Sequence, residues 1–326
     1  MKWLQYSKLL VLICFLTVLG IVSGDVYQRK SKILASQPSE IRIEKVRQIA
    51  TKITVKILNQ ESLGSGIIMQ QQDGRYLVIT NQHVLRAGEE PYNIQTFDGK
   101  THLAKVIPTQ ASSRYDIALL EFTSDQVDYQ TVTIGNSLDL EVGEPVFAVG
   151  FPYKYQETNL ARSKELSDDS LQGLAFTKGR VSVILDQALE EGYQIGYTNE
   201  VQKGMSGGAL LTIEGSLVGV NGKHAYPLWE APDFYEDQSQ PCPPLQELII
   251  RSSLAIPLTK IIDAVPEVSW NTLPKSLVSD DDQTWSSIAI APEEQDPEKL
   301  IASMQAEASS SKRCEISPDS GKINNF

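Results

Sequence analysis

Short stretches of alternating apolar and polar residues recur from residue 52 to residue 256, and turn residues separate them. Residues 52–58 (KITVKIL) alternate and are β-branched, which predicts a strand. Residues 67–69 and 76–80 predict two more strands, joined by a turn at Asp73-Gly74. Residues 145–150 (PVFAVG) form a continuous apolar run, the pattern of a strand buried on both faces. Residues 178–184, 193–198, 216–222 and 248–256 extend the series. Helical spacing is expected in only two parts of this body. One is 40–51, with Ser39 as its cap and Ile41, Ile43, Val46, Ile49 and Ala50 on its apolar side. The other is 258–265. Gly64-Ser65-Gly66 is expected to break the chain, and 135–144 reads as a connector between two sets of strands. The two sets, about 50–135 and 145–256, predict an all-β fold of paired barrels.

The flanks differ in composition. Lys2 and Lys8 bracket a short charged start, residues 9–22 are almost wholly apolar, and Val22-Ser23-Gly24 follows. This is the layout of a secretory signal peptide over 1–24, cleaved after Gly24. The run is shorter than the ~20 residues that span a bilayer comfortably, so stable membrane insertion is expected only if the segment stays on as an anchor, the competing reading. Either way the body is exported, to a periplasm or the extracellular space. Residues 25–38 read as a linker. Residues 153–173 and 224–247 read as surface insertions; a calcium role for Asp168-Asp169 competes with a plain solvated loop. Residues 266–326 form an acidic tail, expected to be largely disordered and without a PDZ domain. Net charge is −12, which argues against nucleic-acid partners and against a basic membrane-binding patch. Three cysteines occur, at 14, 242 and 314, with no C-x-x-C spacing. No structural zinc, other metal or cofactor is expected. Once the leader is removed, Cys242 and Cys314 are the one available pair.

The chemistry centres on residues 203–211 (KGMSGGALL). A tight glycine-rich turn that presents Ser206 and aims its own N–H groups inward suits acyl transfer at a serine. Upstream, His83 follows a predicted hairpin in Thr80-Asn81-Gln82-His83-Val84, and its unperturbed pKa near neutrality suits a general base. Asp116 precedes the apolar run Ile117-Ala118-Leu119-Leu120, where a carboxylate needs a partner. His102 has no acid or serine motif around it and is taken as structural. The order His, Asp, Ser is that of the chymotrypsin template.

These motifs resemble trypsin-like (chymotrypsin-fold) serine proteases, most closely the bacterial high-temperature-requirement or Deg-type protease domain. The resemblance implies two packed antiparallel six-stranded Greek-key β-barrels with a short C-terminal helix, over 39–265. It implies a secreted serine endopeptidase acting on protein or peptide substrates through an acyl-enzyme. His83 would be the base, Asp116 the acid that orients it and Ser206 the nucleophile, with the N–H groups of Gly204 and Ser206 as oxyanion hole. By the same resemblance Val220, Asn221 and Gly222 would line the specificity pocket and pair with substrate. Glu200, six residues before Ser206, stands where an acid selects Lys or Arg in trypsin-like relatives. A histidine reads acidic side chains in glutamyl-specific relatives; here Asn221 stands at that place and His224 lies just beyond. Met205 replaces the aspartate that pairs with a new N-terminus in animal digestive relatives, so the oxyanion loop must be ordered another way. A non-catalytic binding or scaffold protein on the same fold stays open. A Gly-x-Ser-x-Gly esterase fits poorly, since that fold needs a histidine after the serine and alternating helices.

Overall fold

The computed structural model describes residues 39–59, 61–153, 173–226, 233–266 and 268. The signal segment, the linker, the Asp168-Asp169 loop and nearly all of the acidic tail lie outside the described residues. The chain divides into two units, residues 1–44 and 45–326; of the first, only the opening of helix α1 is described.

Helix α1 spans Ser39–Ile53, two residues further than the spacing predicts, so strand β1 begins at Thr54 and runs to Asn59. Val46, Ala50 and Ile53 are buried, one helical stripe against the body. Strands β2 (Glu61–Gln72) and β3 (Arg75–Thr80) form the expected hairpin. Its two-residue loop has positive φ at both Asp73 and Gly74, the twist that matches flanking strands. Gly64-Ser65-Gly66 does not break the chain: all three lie inside β2. Small residues are needed there because Val84 and the Ser206 carbonyl come close to Gly64. Helix α2 (Gln82–Arg86), β4 (Tyr92–Gln95), β5 (Thr101–Ile107) and β6 (Ala118–Thr123) follow.

These strands close a barrel in the order β1-β2-β3-β6-β5-β4, every pair antiparallel. Its interior holds Val55, Ile57, Ile68, Val78, Ile94 and Leu120, with Tyr76 stacked on Phe122 at 5.0 Å between ring centroids. His102 belongs to this aromatic cluster. Its ring lies 4.8 Å from Phe122, and its Nε2 is 2.9 Å from the Tyr129 hydroxyl, which in turn donates to Asp98.

A short strand β7 (Thr133–Ile134) leads into the second set: β8 (Pro145–Gly150), β9 (Ala175–Ile184), β10 (Ile195–Tyr197), β11 (Ala209–Leu211), β12 (Ser216–Lys223) and β13 (Ser253–Pro257). They close in the order β8-β9-β10-β13-β12-β11, and β7 adds in parallel beside β12. Numbered within each set, both barrels run 1-2-3-6-5-4. The fourth strand of each lies beside the first, as a Greek key requires. The fold is thus two six-stranded antiparallel Greek-key barrels.

One predicted element is wrong in type. Residues 248–256 are not a single strand: helix α3 spans Pro243–Arg251, and only Ser253–Pro257 pairs with the sheet. Pro243 and Pro244 open this helix, where a missing N–H costs nothing, and it buries Leu248 and Ile249. Cys242, just before it, is disulfide-bonded. Helix α4 (Leu258–Ala264) ends the described body, as the spacing predicts. Among the described residues, no helix is long and apolar enough to cross a membrane.

Ile57 is fully buried in the first barrel, whereas Leu103 on the same barrel is 68% exposed. Ile57→Ala is expected to cost about 2–5 kcal/mol of stability and Leu103→Ala less than about 0.5 kcal/mol, read from urea unfolding midpoints.

Candidate active site

The β3–β6 ladder brings the first two candidate residues together. Its last rung pairs Thr80 with Ala118. Beyond it one chain turns into α2, carrying His83, and the other is still arriving, carrying Asp116. Asn81 is buried at this junction and donates from Nδ2 to the Asp116 carbonyl at 2.8 Å. The His83 backbone N–H donates to Asp116 Oδ1 at 2.8 Å, and His83 Nδ1 lies 2.5 Å from Asp116 Oδ2. The Asp116 side chain is 1% exposed and the imidazole 40%. With Nδ1 turned to the carboxylate, neutral His83 presents Nε2 as a proton acceptor.

Burial alone would push the Asp116 carboxyl up. The hydrogen bond and charge of His83, the Tyr193 hydroxyl and the His83 N–H outweigh it and hold the acid below the usual carboxylate range. Tyr193 donates to Oδ2 at 2.5 Å and comes from the second barrel. Arg86 Nη2 stands 3.8 Å from Oδ1. Neither Tyr193 nor Arg86 has a local motif that marks it in sequence.

Ser206 sits on a turn in which Gly208 N–H donates to the Met205 carbonyl at 3.1 Å. The Lys203 carbonyl accepts from Tyr153 N–H at 2.7 Å. In a trans peptide the N–H points opposite to the carbonyl. Fixing the carbonyls of Lys203 and Met205 therefore turns the N–H groups of Gly204 and Ser206 the other way. Among the described residues neither N–H has an internal acceptor. Gly204 takes φ of +96°, which a side chain would resist. The Ser206 hydroxyl itself donates to the Gly222 carbonyl at 3.2 Å rather than to His83.

Ser65, fully buried in β2, ties this turn to the first barrel. Its N–H donates to the Ser206 carbonyl at 2.9 Å, and its hydroxyl donates to the Gly204 carbonyl at 2.8 Å while accepting from Phe151 N–H at 2.8 Å. Its own carbonyl accepts from Thr80 Oγ1 at 2.7 Å. Met205, fully buried in the second barrel, anchors the turn from below. Together these contacts hold the turn from both barrels.

The residues expected at a specificity pocket differ in exposure. Val220 and Asn221 are fully buried. The Asn221 amide is used up inside the second barrel: Nδ2 donates to the carbonyls of Val149 and Ala209, and Oδ1 accepts from Tyr197. Of the three only Gly222 is partly exposed. Glu200 is exposed, and its carboxylate accepts from Gln202 Nε2 at 2.7 Å. His224 is exposed beside the Ala225 carbonyl. Among the described residues, no group of three or more His, Cys, Asp or Glu side chains is arranged to hold a metal ion.

Residues 64–220 match the family model of the trypsin-like peptidase domain. That stretch is thus similar to a trypsin-like peptidase domain, and the relatives that the chain matches are HtrA and Deg serine proteases. It is similar to "Serine protease Do-like HtrA" of Bacillus subtilis (strain 168), 31% identical over 159 residues, 48% of this chain and 32% of that protein. It is similar to "Periplasmic pH-dependent serine endoprotease DegQ" of Escherichia coli (strain K12), 34% identical over 161 residues, 49% and 31% of the two chains. A solved structure, "HtrA-type protease AlgWS227A with tripeptide", aligns at TM-score 0.48 and 21% identity over 69% of this chain and 62% of that one. The chain spans about a third of the length of these two curated relatives.

Ser65→Ala strands a buried carbonyl and a buried N–H. It is expected to cost about 1–3 kcal/mol in urea unfolding. Asp116 stabilises the fold fully above the unfolded carboxylate pKa of about 4, and its contribution is lost as pH falls through its lower folded value. The stability gap between the wild type and Asp116→Asn should therefore shrink as pH falls below about 4.

Proposed function

We propose that this chain is an exported serine endopeptidase that hydrolyses peptide bonds of protein or peptide substrates through an acyl-enzyme. One observation carries the reading: a buried, multiply hydrogen-bonded carboxylate grips the imidazole of His83 beside a serine turn with two uncommitted N–H groups. Ser206 Oγ attacks the scissile carbonyl carbon as its proton passes to His83 Nε2. The negative charge that forms on the carbonyl oxygen faces the N–H groups of Gly204 and Ser206. Collapse of this intermediate breaks the C–N bond, and His83 returns the proton to the leaving amine. Water then attacks the acyl carbon as its proton passes to His83; the C–Oγ bond breaks, His83 returns the proton to Ser206 Oγ, and the acid leaves. Asp116 keeps the tautomer and steadies the imidazolium throughout. Each oxyanion donor is worth about 3–4 kcal/mol in the transition state at such sites.

Export is supported by the N-terminal sequence pattern and by the word "periplasmic" in the name of the DegQ relative. The acidic net charge argues against nucleic acid as a partner.

A non-catalytic binding or scaffold role is the second reading, and the hydrogen bond from Ser206 to Gly222 favours it. For catalysis that hydroxyl must turn from Gly222 toward His83, a rotamer change that costs little on a partly exposed serine.

A fluorophosphonate probe decides between the two. The folded protein is expected to be labelled, and Ser206→Ala to abolish labelling. Asp116→Asn should slow labelling by about 10⁴-fold, the loss seen when a triad acid is neutralised. Absence of labelling in the folded wild type would refute the enzyme and leave the scaffold.

A further inference from the structure

We propose that Tyr193 is a positioning residue: its hydroxyl crosses from the second barrel to hold Asp116 Oδ2, and Gly222 is a glycine to leave room for it. This rests on the serine-endopeptidase reading and adds a group to it.

Asp116 Oδ2 has two donors, His83 Nδ1 and the Tyr193 hydroxyl, each at 2.5 Å. The imidazole comes from the first barrel and the phenol from the second, so the carboxylate is held from both sides of the cleft. Tyr193 is 1% exposed, and burial together with the charge of Asp116 pushes its pKa well above the usual phenol value. It therefore stays protonated, a permanent donor.

The backbone that delivers it is specialised. Leu189 N–H donates to the Tyr193 carbonyl at 2.8 Å, closing a tight turn. Within that turn Glu191 takes φ of +62°, a conformation side chains resist. The Glu191 carbonyl accepts from the Asp116 backbone N–H at 3.0 Å. Its carboxylate meets Arg86 at 3.3 Å, next to His83. One turn of the second barrel thus holds the acid by its backbone and, two residues later, by its side chain.

Gly222 supplies the second line of argument. A Cβ there would stand 2.1 Å from the Tyr193 hydroxyl oxygen and 2.4 and 2.6 Å from two ring carbons. Any side chain at 222 would take the hydroxyl's place. The carbonyl of this same glycine accepts from Ser206 Oγ. The next residue, Lys223, sets its ammonium 5.1 Å from the Tyr193 ring centroid and pairs with Asp233 at 2.7 Å, which helps fix the ring. Nucleophile, acid and tyrosine are thereby linked through one residue without a side chain.

The test compares the wild type, Ser206→Ala, Tyr193→Phe, Gly222→Ala, Asp116→Asn and the double variant Tyr193→Phe/Asp116→Asn. Each is checked for folding by circular dichroism. Rates are followed by fluorophosphonate inactivation and by turnover of a peptide cut by the wild type. Labelling of the wild type and not of Ser206→Ala establishes the underlying enzyme; without it both readings fall. Given that, Tyr193→Phe is expected to lower kcat and the inactivation rate about tenfold, the typical weight of one hydrogen bond to a charged group, with KM changed less than about twofold. In the Asp116→Asn background the same change should alter rates less than about twofold, because the carboxylate it acts through is gone. Gly222→Ala should reproduce the loss and decides the matter if Tyr193→Phe does not fold. Wild-type kcat in folded Tyr193→Phe, or an equal loss with and without Asp116, would overturn the proposal.

Discussion

The buried charge of Asp116 is the constraint around which the two barrels meet. A carboxylate that is 1% exposed is costly unless its oxygens are fully hydrogen-bonded. Here the donors come from both sides: the backbone and ring of His83 from the first barrel, and the phenol of Tyr193 from the second. The carboxylate stays ionised because of them, with its pKa below the usual range in spite of burial. An ionised acid in turn fixes the imidazole tautomer, and the tautomer fixes which nitrogen faces the cleft. The local chemistry of the first barrel thus rests on His83 first and also on a group that the second barrel supplies.

The Ser206 turn follows the same logic in reverse. It belongs to the second barrel, yet Ser65 of the first holds the carbonyls of Gly204 and Ser206. With Tyr153 holding the Lys203 carbonyl and Gly208 the Met205 carbonyl, the peptide planes that carry the two uncommitted N–H groups cannot turn freely. Met205 adds apolar burial where digestive relatives place a charge. A turn held by Ser65 and by the buried Met205 has its contacts from within the two barrels. This accounts in physical terms for the departure that the Gly-Met-Ser-Gly-Gly string presents.

Legibility in the sequence followed the range of the interactions. Strands such as 145–150 and 216–222, the Asp73-Gly74 hairpin and the C-terminal helix were readable because alternation, apolar runs and turn residues are local signals. Residues 248–251 misled: an apolar run long enough for a strand lies on a helix opened by two prolines, and runs of that length do not distinguish the two. Gly64-Ser65-Gly66 misled because its glycines answer to packing against Val84 and the Ser206 carbonyl and not to a turn. Asn221 was expected at a pocket wall, yet its amide is consumed by Val149, Ala209 and Tyr197 inside the barrel. Strand alternation tells which residues share a face; it does not tell which polar ones find partners there.

By itself the sequence determined the two sets of strands and the three segments that carry His83, Asp116 and Ser206, because each segment has its own turn and strand context. Tertiary structure alone decided what surrounds them. Ser65 lies 139 positions from Gly204, and Tyr193 lies 77 from Asp116; no periodicity or motif links residues so far apart. Such contacts arise only when the barrels close and face each other. A buried carboxylate or carbonyl then takes whichever donor the opposing surface brings within about 3 Å.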